Sequence, residues 1–218
     1  MPLRALNVLH AIHDFLPRHR AGSEIYTLNL CRELQNRCHI AVLCADYDPS
    51  REHGSFRWRL HNGVPVVELA NNWEFRTFAD TYRSDLIGTR LRQVLEAIQP
   101  DVVHVHNLLN LSFDLPALAH AVGIPVVATL HDYTLVCASG GQRLHRAEQH
   151  VCRVIDVDRC ARCFRESPFY EHMSVGRLGT ATGTPGRVQG LAKHQAASFH
   201  TVLSDAPHRS SVEWPDRR

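Results

Sequence analysis

Histidine and cysteine are the reactive residue types this sequence concentrates, with 16 and 7 among 218 residues. Four of the cysteines, Cys137, Cys152, Cys160 and Cys163, fall within 27 residues and end in a C-x-x-C pair, Cys160-Ala161-Arg162-Cys163. Four thiolates around a tetrahedral zinc need two close pairs, or one pair and two ligands brought in by loops. The spacing here is of the second kind. A structural zinc held by these four is therefore the metal expectation, with free thiols as the alternative. A redox role fits less well, because the pair lies in a charged stretch that reads as loop, between Asp158-Arg159 and Arg165-Glu166. The other three, Cys31, Cys38 and Cys44, sit in or beside apolar segments, where a free thiol behaves as a small hydrophobe.

The histidines group differently. His13-Asp14, His106-Asn107 and His131-Asp132 each close an apolar run, as does Ser204-Asp205. In an open parallel sheet, ligands bind beyond the carboxyl ends of the strands, and all four pairs would lie there. His104 and His106 alternate along one run and so face the same side of a sheet. That spacing can chelate a metal; the competing reading is one packed histidine and one facing a cleft. Gly22 and Ser23 stand where a helix begins, and free N–H groups at a helix N-terminus favour a phosphate.

The elements that must position these residues follow from periodicity. Residues 4–12 read as a strand, 23–36 as a helix capped by Ser23, and 38–45 as a second strand. Residues 56–60 and 64–69 flank Asn62-Gly63, a hairpin signal. A helix over 80–98 stops before Pro100, a strand covers 101–107, a helix 112–122 and a strand 125–132. This alternation predicts an α/β domain, a Rossmann-like open parallel sheet with helices on both faces. Residues 137–163 read as a cysteine-bearing insertion, 187–197 as a helix, 199–205 as a late strand and 206–218 as a polar tail. A hydrophobic share of 44% and a charged share of 21% suit a chain with one sizeable core and exclude a disordered or collagen-like one. A net charge of +2 gives no sign of a nucleic-acid partner. No apolar run reaches the roughly 18–20 residues that span a bilayer. His10 and His13 break the N-terminal apolar run, so a cytoplasmic location is expected rather than secretion.

Taken in order, HAIHDFLPRHRAGSEIYTLNL, QPDVVHVHN, GIPVVATLHDY and the stretch from Cys137 to Cys163 resemble the N-terminal half of a family 4 glycosyltransferase, the retaining group with the GT-B fold. The resemblance covers about residues 4–205 and makes them the acceptor-side domain. It implies a nucleoside diphosphate sugar as donor, whose diphosphate approaches Gly22 and Ser23. Ala21 stands where the family's first glycine would be. It implies His131 as the residue near the donor sugar and acceptor hydroxyl, with Asp132 orienting it or binding acceptor, and His106 and Asn107 lining the same cleft. The acceptor would be a glycan or a lipid-linked sugar. The resemblance also allows peripheral contact with the inner membrane face, to which Arg18-His19-Arg20 and the loop carrying Trp73, Phe75 and Phe78 lend modest support, but a solvated loop and local packing is the favoured reading of both. The family's donor-binding half, marked by paired glutamates, has no counterpart in the sequence, so a separately encoded donor domain is the implied partner. Two further readings stand beside this one. One is a non-catalytic glycan-binding module; the other is a metal-dependent hydrolase using His104, His106, His131 and Asp132.

Overall fold

A strand hydrogen-bonded on both edges and covered on both faces must be apolar along its whole length, and the first strand meets that demand almost everywhere. In the computed structural model, residues 4–174 are described, apart from 138, 140, 146, 168, 169 and 172. The helix expected at 187–197, the strand at 199–205 with Ser204-Asp205, and the tail 206–218 lie outside the described residues. The strands run Leu6–Ile12 (β1), Cys38–Asp46 (β2), Phe56–His61 (β3), Val64–Ala70 (β4), Val102–Val105 (β5) and Val126–Ala128 (β6). The helices among them are Gly22–Leu34 (α1), Asp85–Ile98 (α2) and Leu115–Ala121 (α3). The sheet order is β3-β4-β2-β1-β5-β6. Every pairing is parallel except the β3–β4 hairpin.

Alternation sends successive β1 side chains to opposite faces. Leu9 and Ala11 pack with Ile87, Leu91 and Val94 of α2 and Leu115 of α3. Val8 and Ile12 pack with Leu28 and Cys31 of α1. The expected Rossmann-like sheet with helices on both faces is what forms. Asn62 and Gly63 both take positive φ, 50° and 80°, the turn whose twist matches a two-residue hairpin. Cys31 and Cys44 are fully buried and Cys38 packs against the same core, as small hydrophobes would. Burial pushes the Cys31 thiol up to about 12.

The ends of several elements differ from the sequence expectation. Helix α1 is capped at Ala21, not Ser23. Helix α2 begins at Asp85, where the Ser84 side chain accepts the Ile87 N–H, and a short 3-10 turn fills Ala79–Thr81. Strand β6 is three residues long and does not reach His131.

A buried ion network closes the outer half of the sheet. Asp46 and Glu68 are almost wholly buried at the ends of β2 and β4. Arg51 and Arg57 hold Asp46 at 2.9 and 3.0 Å, with Arg18 in closer contact. Arg57 and Arg59 hold Glu68 at 2.7 and 2.6 Å. Burial would raise the Glu68 pKa, but the Arg59 and Arg57 guanidiniums hold it below the usual carboxylate range.

The described residues divide into two compact units. One holds the chain up to Asn72 and Arg83–Thr129, and so the whole sheet; the other holds Trp73–Tyr82 and the chain from Leu130 onward. In the second unit, Leu144–His145 (β7) and His150–Val151 (β8) form a small antiparallel pair, followed by helix Val157–Arg165 (α4). The C-x-x-C pair read as loop therefore sits on a helix, capped by the Asp156 side chain accepting the Arg159 N–H at 3.0 Å. Phe75, read as part of a loop, is buried with Phe164 and Met173 in this unit's own small core.

Leu91 is fully enclosed in the larger core. Leu91→Ala is expected to cost about 2–5 kcal/mol, read as a lower urea midpoint with an unchanged slope.

Candidate functional site

The carboxyl edge of the sheet is built where β1 gives way to α1. The first-turn N–H groups of a helix lack intrahelical partners and carry the positive end of its dipole. Here a carboxylate from the helix itself serves them. Glu24 is fully buried, and its Oε2 accepts the Ala21 N–H at 3.0 Å. Ala21 has no polar side chain, so the cap is made by Glu24 alone, reaching back. Glu24 Oε1 also lies 3.2 Å from Ser23 Oγ, 3.2 Å from His19 Nδ1 and 3.3 Å from His13 Nε2. Burial would raise the Glu24 pKa, yet the His19 hydrogen bond, a backbone N–H and the nearby His13 hold it at about 2. In return, the bond to Glu24 raises His19.

Gly22 is exposed at this end, and a Cβ built there would meet nothing within 4 Å. Ser23 lies one residue into the helix, with its hydroxyl directed to Glu24. The expected phosphate-facing residues are thus at the helix N-terminus, beside a buried carboxylate that no sequence argument had placed. Of the basic cluster 18–20, Arg18 is committed to Asp14 at 2.8 Å and to Asp46, and His19 to Glu24. Arg18 and His19 thus have carboxylate partners, and Arg20 is exposed.

One residue deeper, His10 on β1 sits opposite His104 on β5 in register. His106 follows in line, held by its N–H donating to the Ala11 carbonyl at 2.8 Å. His10 Nδ1 and His106 Nε2 are 3.0 Å apart, and the His104 and His106 rings stack at 4.2 Å. His104 Nε2 is 2.8 Å from the Thr129 hydroxyl, and the Tyr26 ring meets His106 edge-on. Burial, and then the neighbouring His104, lower the His10 pKa to about 4, so its ring is neutral at physiological pH. Asn107 is buried, and its Oδ1 accepts the Leu109 N–H at 2.8 Å, shaping the turn after β5. His10, His19 and Glu24 were not read as site residues from the sequence. The parity of His10 with the H-x-H pair was visible, but the register that joins them was not.

His131 and Asp132 belong to the second unit. His131 is half-buried. Asp132 Oδ1 accepts the Thr134 N–H at 2.8 Å and its hydroxyl, which starts a 3-10 turn at Thr134. Gly141 closes the same loop at φ 76°, where a Cβ would lie 2.9 Å from the Thr134 nitrogen. Cys137, Cys152, Cys160 and Cys163 all line one cavity with Arg143 and Arg159, and all four thiols are free. Among the described residues, two groups of His, Cys, Asp or Glu bring their ligand atoms within 4.8 Å of one another: His10, His104 and His106, and His13, His19 and Glu24. The cysteine quartet shares a cavity without reaching that spacing.

With this geometry in place, the comparisons with known proteins define a class. The sequence profile described as Glycosyltransferase Family 4 matches residues 20–171. The chain belongs to that family. Among solved structures, it is similar to the catalytic domain of starch synthase IV from Arabidopsis thaliana bound to ADP and acarbose, at 17% identity and a TM-score of 0.38. The match covers 72% of this chain and 38% of that one. It is also similar to an α,α-trehalose 6-phosphate synthase from Burkholderia multivorans, at 10% identity and a TM-score of 0.32, covering 59% of this chain and 33% of that one. The chain thus spans well under half the length of either. No curated protein matches it.

The Glu24–His19 contact sets a pH window. Glu24, ordinarily near 4.5 and held at about 2, contributes stability above 4.5 that is lost as pH falls toward 2. His19, raised from 6.5, contributes below 6.5 and loses that contribution as pH rises through its folded value. Urea unfolding across pH is expected to show both contributions intact between 4.5 and 6.5. Glu24→Gln should flatten both flanks.

Proposed function

We propose that this chain is the acceptor-side part of a retaining glycosyltransferase that moves a sugar from a nucleoside diphosphate donor to a glycan or lipid-linked acceptor. The observation that carries the reading is the family match over residues 20–171, which spans the start of α1 and the segments that carry His106 and His131. The donor diphosphate would approach Gly22 and Ser23, where the helix dipole favours an anion and the absence of a side chain leaves room. His131 would hydrogen-bond the acceptor or sugar hydroxyl and orient it, with Asp132 holding the loop that presents it. His106 and Asn107 would form the acceptor side at the end of β5. In this reading the leaving diphosphate takes up the acceptor proton, so no protein nucleophile is required. A donor-binding domain, in the same polypeptide or separately encoded, would supply the remaining grip on the nucleotide. The reaction would take place on the cytoplasmic side, with peripheral membrane contact where the acceptor is lipid-linked.

A panel of UDP-, GDP- and ADP-sugars, assayed for transfer with candidate donor domains added, tests this directly. Transfer is expected in one combination, and His131→Ala should lower kcat by about 10²-fold or more without loss of fold. Nucleotide or glycan binding with no transfer in any combination would instead support a non-catalytic binding module. Gly22→Asp places a carboxylate where the diphosphate would come, so nucleotide affinity measured by calorimetry should fall at least about tenfold, near 1.4 kcal/mol.

The zinc reading of the cysteine segment is part of the same proposal, supported by the cavity that all four cysteines line. Zinc binding would draw the sulfurs together across that cavity and tie α4 to the loops before it. Purified chain is expected to carry zinc that is lost in a Cys160→Ser, Cys163→Ser variant, by elemental analysis. Equal zinc in both would end the cysteine assignment.

A further inference from the structure

We propose that His10, His104 and His106 form a second metal site, one for a divalent transition-metal ion of the zinc and cobalt class. This inference does not depend on the glycosyltransferase reading. Three imidazoles converge here with one ligand atom from each within 4.8 Å of the other two. In a tetrahedral site with metal–nitrogen bonds of about 2.0–2.1 Å, ligand nitrogens stand about 3.3 Å apart. His10 Nδ1 and His106 Nε2, at 3.0 Å, are already close to that spacing.

The backbone fixes the arrangement. The β1–β5 register sets His10 against His104, and the hydrogen bond from His106 to Ala11 sets the third. The Thr129 hydroxyl at 2.8 Å from His104 Nε2 is an outer contact of the kind that orients a ligating imidazole.

The competing explanation is a packed polar cluster in which His10 and His106 share one proton. Neither explanation gives every ring nitrogen a partner. His10 is fully buried, and its Nε2 has no hydrogen-bond partner among the described residues. His10 binds a given ion through one ring nitrogen, so with Nδ1 as the ligand this Nε2 stays unpartnered, and the case for the ion rests on the convergence of the three imidazoles. The ligand set decides the class of ion. Imidazoles suit zinc, cobalt, nickel and copper, whereas magnesium and calcium require oxygen. Three protein ligands leave a fourth position for water or an anion. The other close group, His13, His19 and Glu24, is accounted for by its ion pairs and by the capping role of Glu24.

Cobalt(II) titration of the chelator-treated full chain tests the site and separates it from the cysteines. A thiolate site gives a sulfur-to-cobalt charge-transfer band in the near ultraviolet; a site of three histidines gives visible ligand-field bands without it. A chain with Cys137, Cys152, Cys160 and Cys163 all changed to Ser is expected to bind one cobalt with ligand-field bands alone. In the unmodified chain, His104→Gln should weaken that cobalt at least tenfold. His104→Gln with His106→Gln should remove it and leave any thiolate band unchanged, with circular dichroism confirming the fold. Because the four-serine chain could fail to fold, the unmodified chain decides on its own. Absence of a ligand-field component there, or one whose affinity and stoichiometry are the same in both histidine variants, overturns the assignment.

Discussion

A strand with neighbours on both edges and helices over both faces has no access to water, and any polar side chain on it must find its partners inside the protein. Strand β1 is under that constraint, and its one buried polar residue is His10. The parallel pairing with β5 answers it, because the residues that come alongside on the same face are themselves histidines. The strand's exit then places His13 beside α1, and the backbone of Ala11 holds His106. Much of the polar organisation at this edge of the sheet therefore descends from the placement of a single central strand.

The start of α1 shows how the same edge handles charge. An exposed helix N-terminus can take an anion from solution, but here the helix brings its own. Two histidines share the carboxylate, so the local charge depends on their protonation. With both protonated the cluster is net positive; with neither it is net negative. A buried carboxylate beside the expected path of a diphosphate would repel it if uncompensated. When protonated, His13 and His19 offset that charge, while Gly22 keeps the outer side of the helix end uncovered.

Much of the fold was readable from the sequence, because each legible element carried a local signal. Asn62-Gly63 can adopt the two positive φ values that the hairpin needs, and Leu91, Val94, Leu95 and Ile98 repeat at helical spacing on α2. The start of α1 was misread because Ser23 has the chemistry of a cap and Ala21 does not. The cap is a side chain three residues on, acting backwards. Helix α4 was read as loop because of its charged residues, Asp158-Arg159 and Arg165-Glu166, although Val157, Cys160, Ala161 and Phe164 stand at helical spacing; of these only Phe164 is buried. Its cap, Asp156, was visible, but the small core that gives Phe164 a place includes Phe75, far upstream in the sequence. For the same reason the histidine cluster could be seen only in part. His104 and His106 announce themselves by spacing, whereas His10 joins them through strand register, which local sequence does not encode.

The arginine network around Asp46 and Glu68 bears on how the strength of this fold would be perceived. Its guanidinium groups are bound to carboxylates buried at the ends of β2 and β4. Guanidinium chloride supplies free copies of the same cation at molar concentration, together with enough salt to shorten the reach of charge interactions to a few ångströms. Urea does neither. The two denaturants thus act on different physical objects in this molecule: one competes for its ion pairs as well as its apolar surface, the other acts chiefly on the core and backbone.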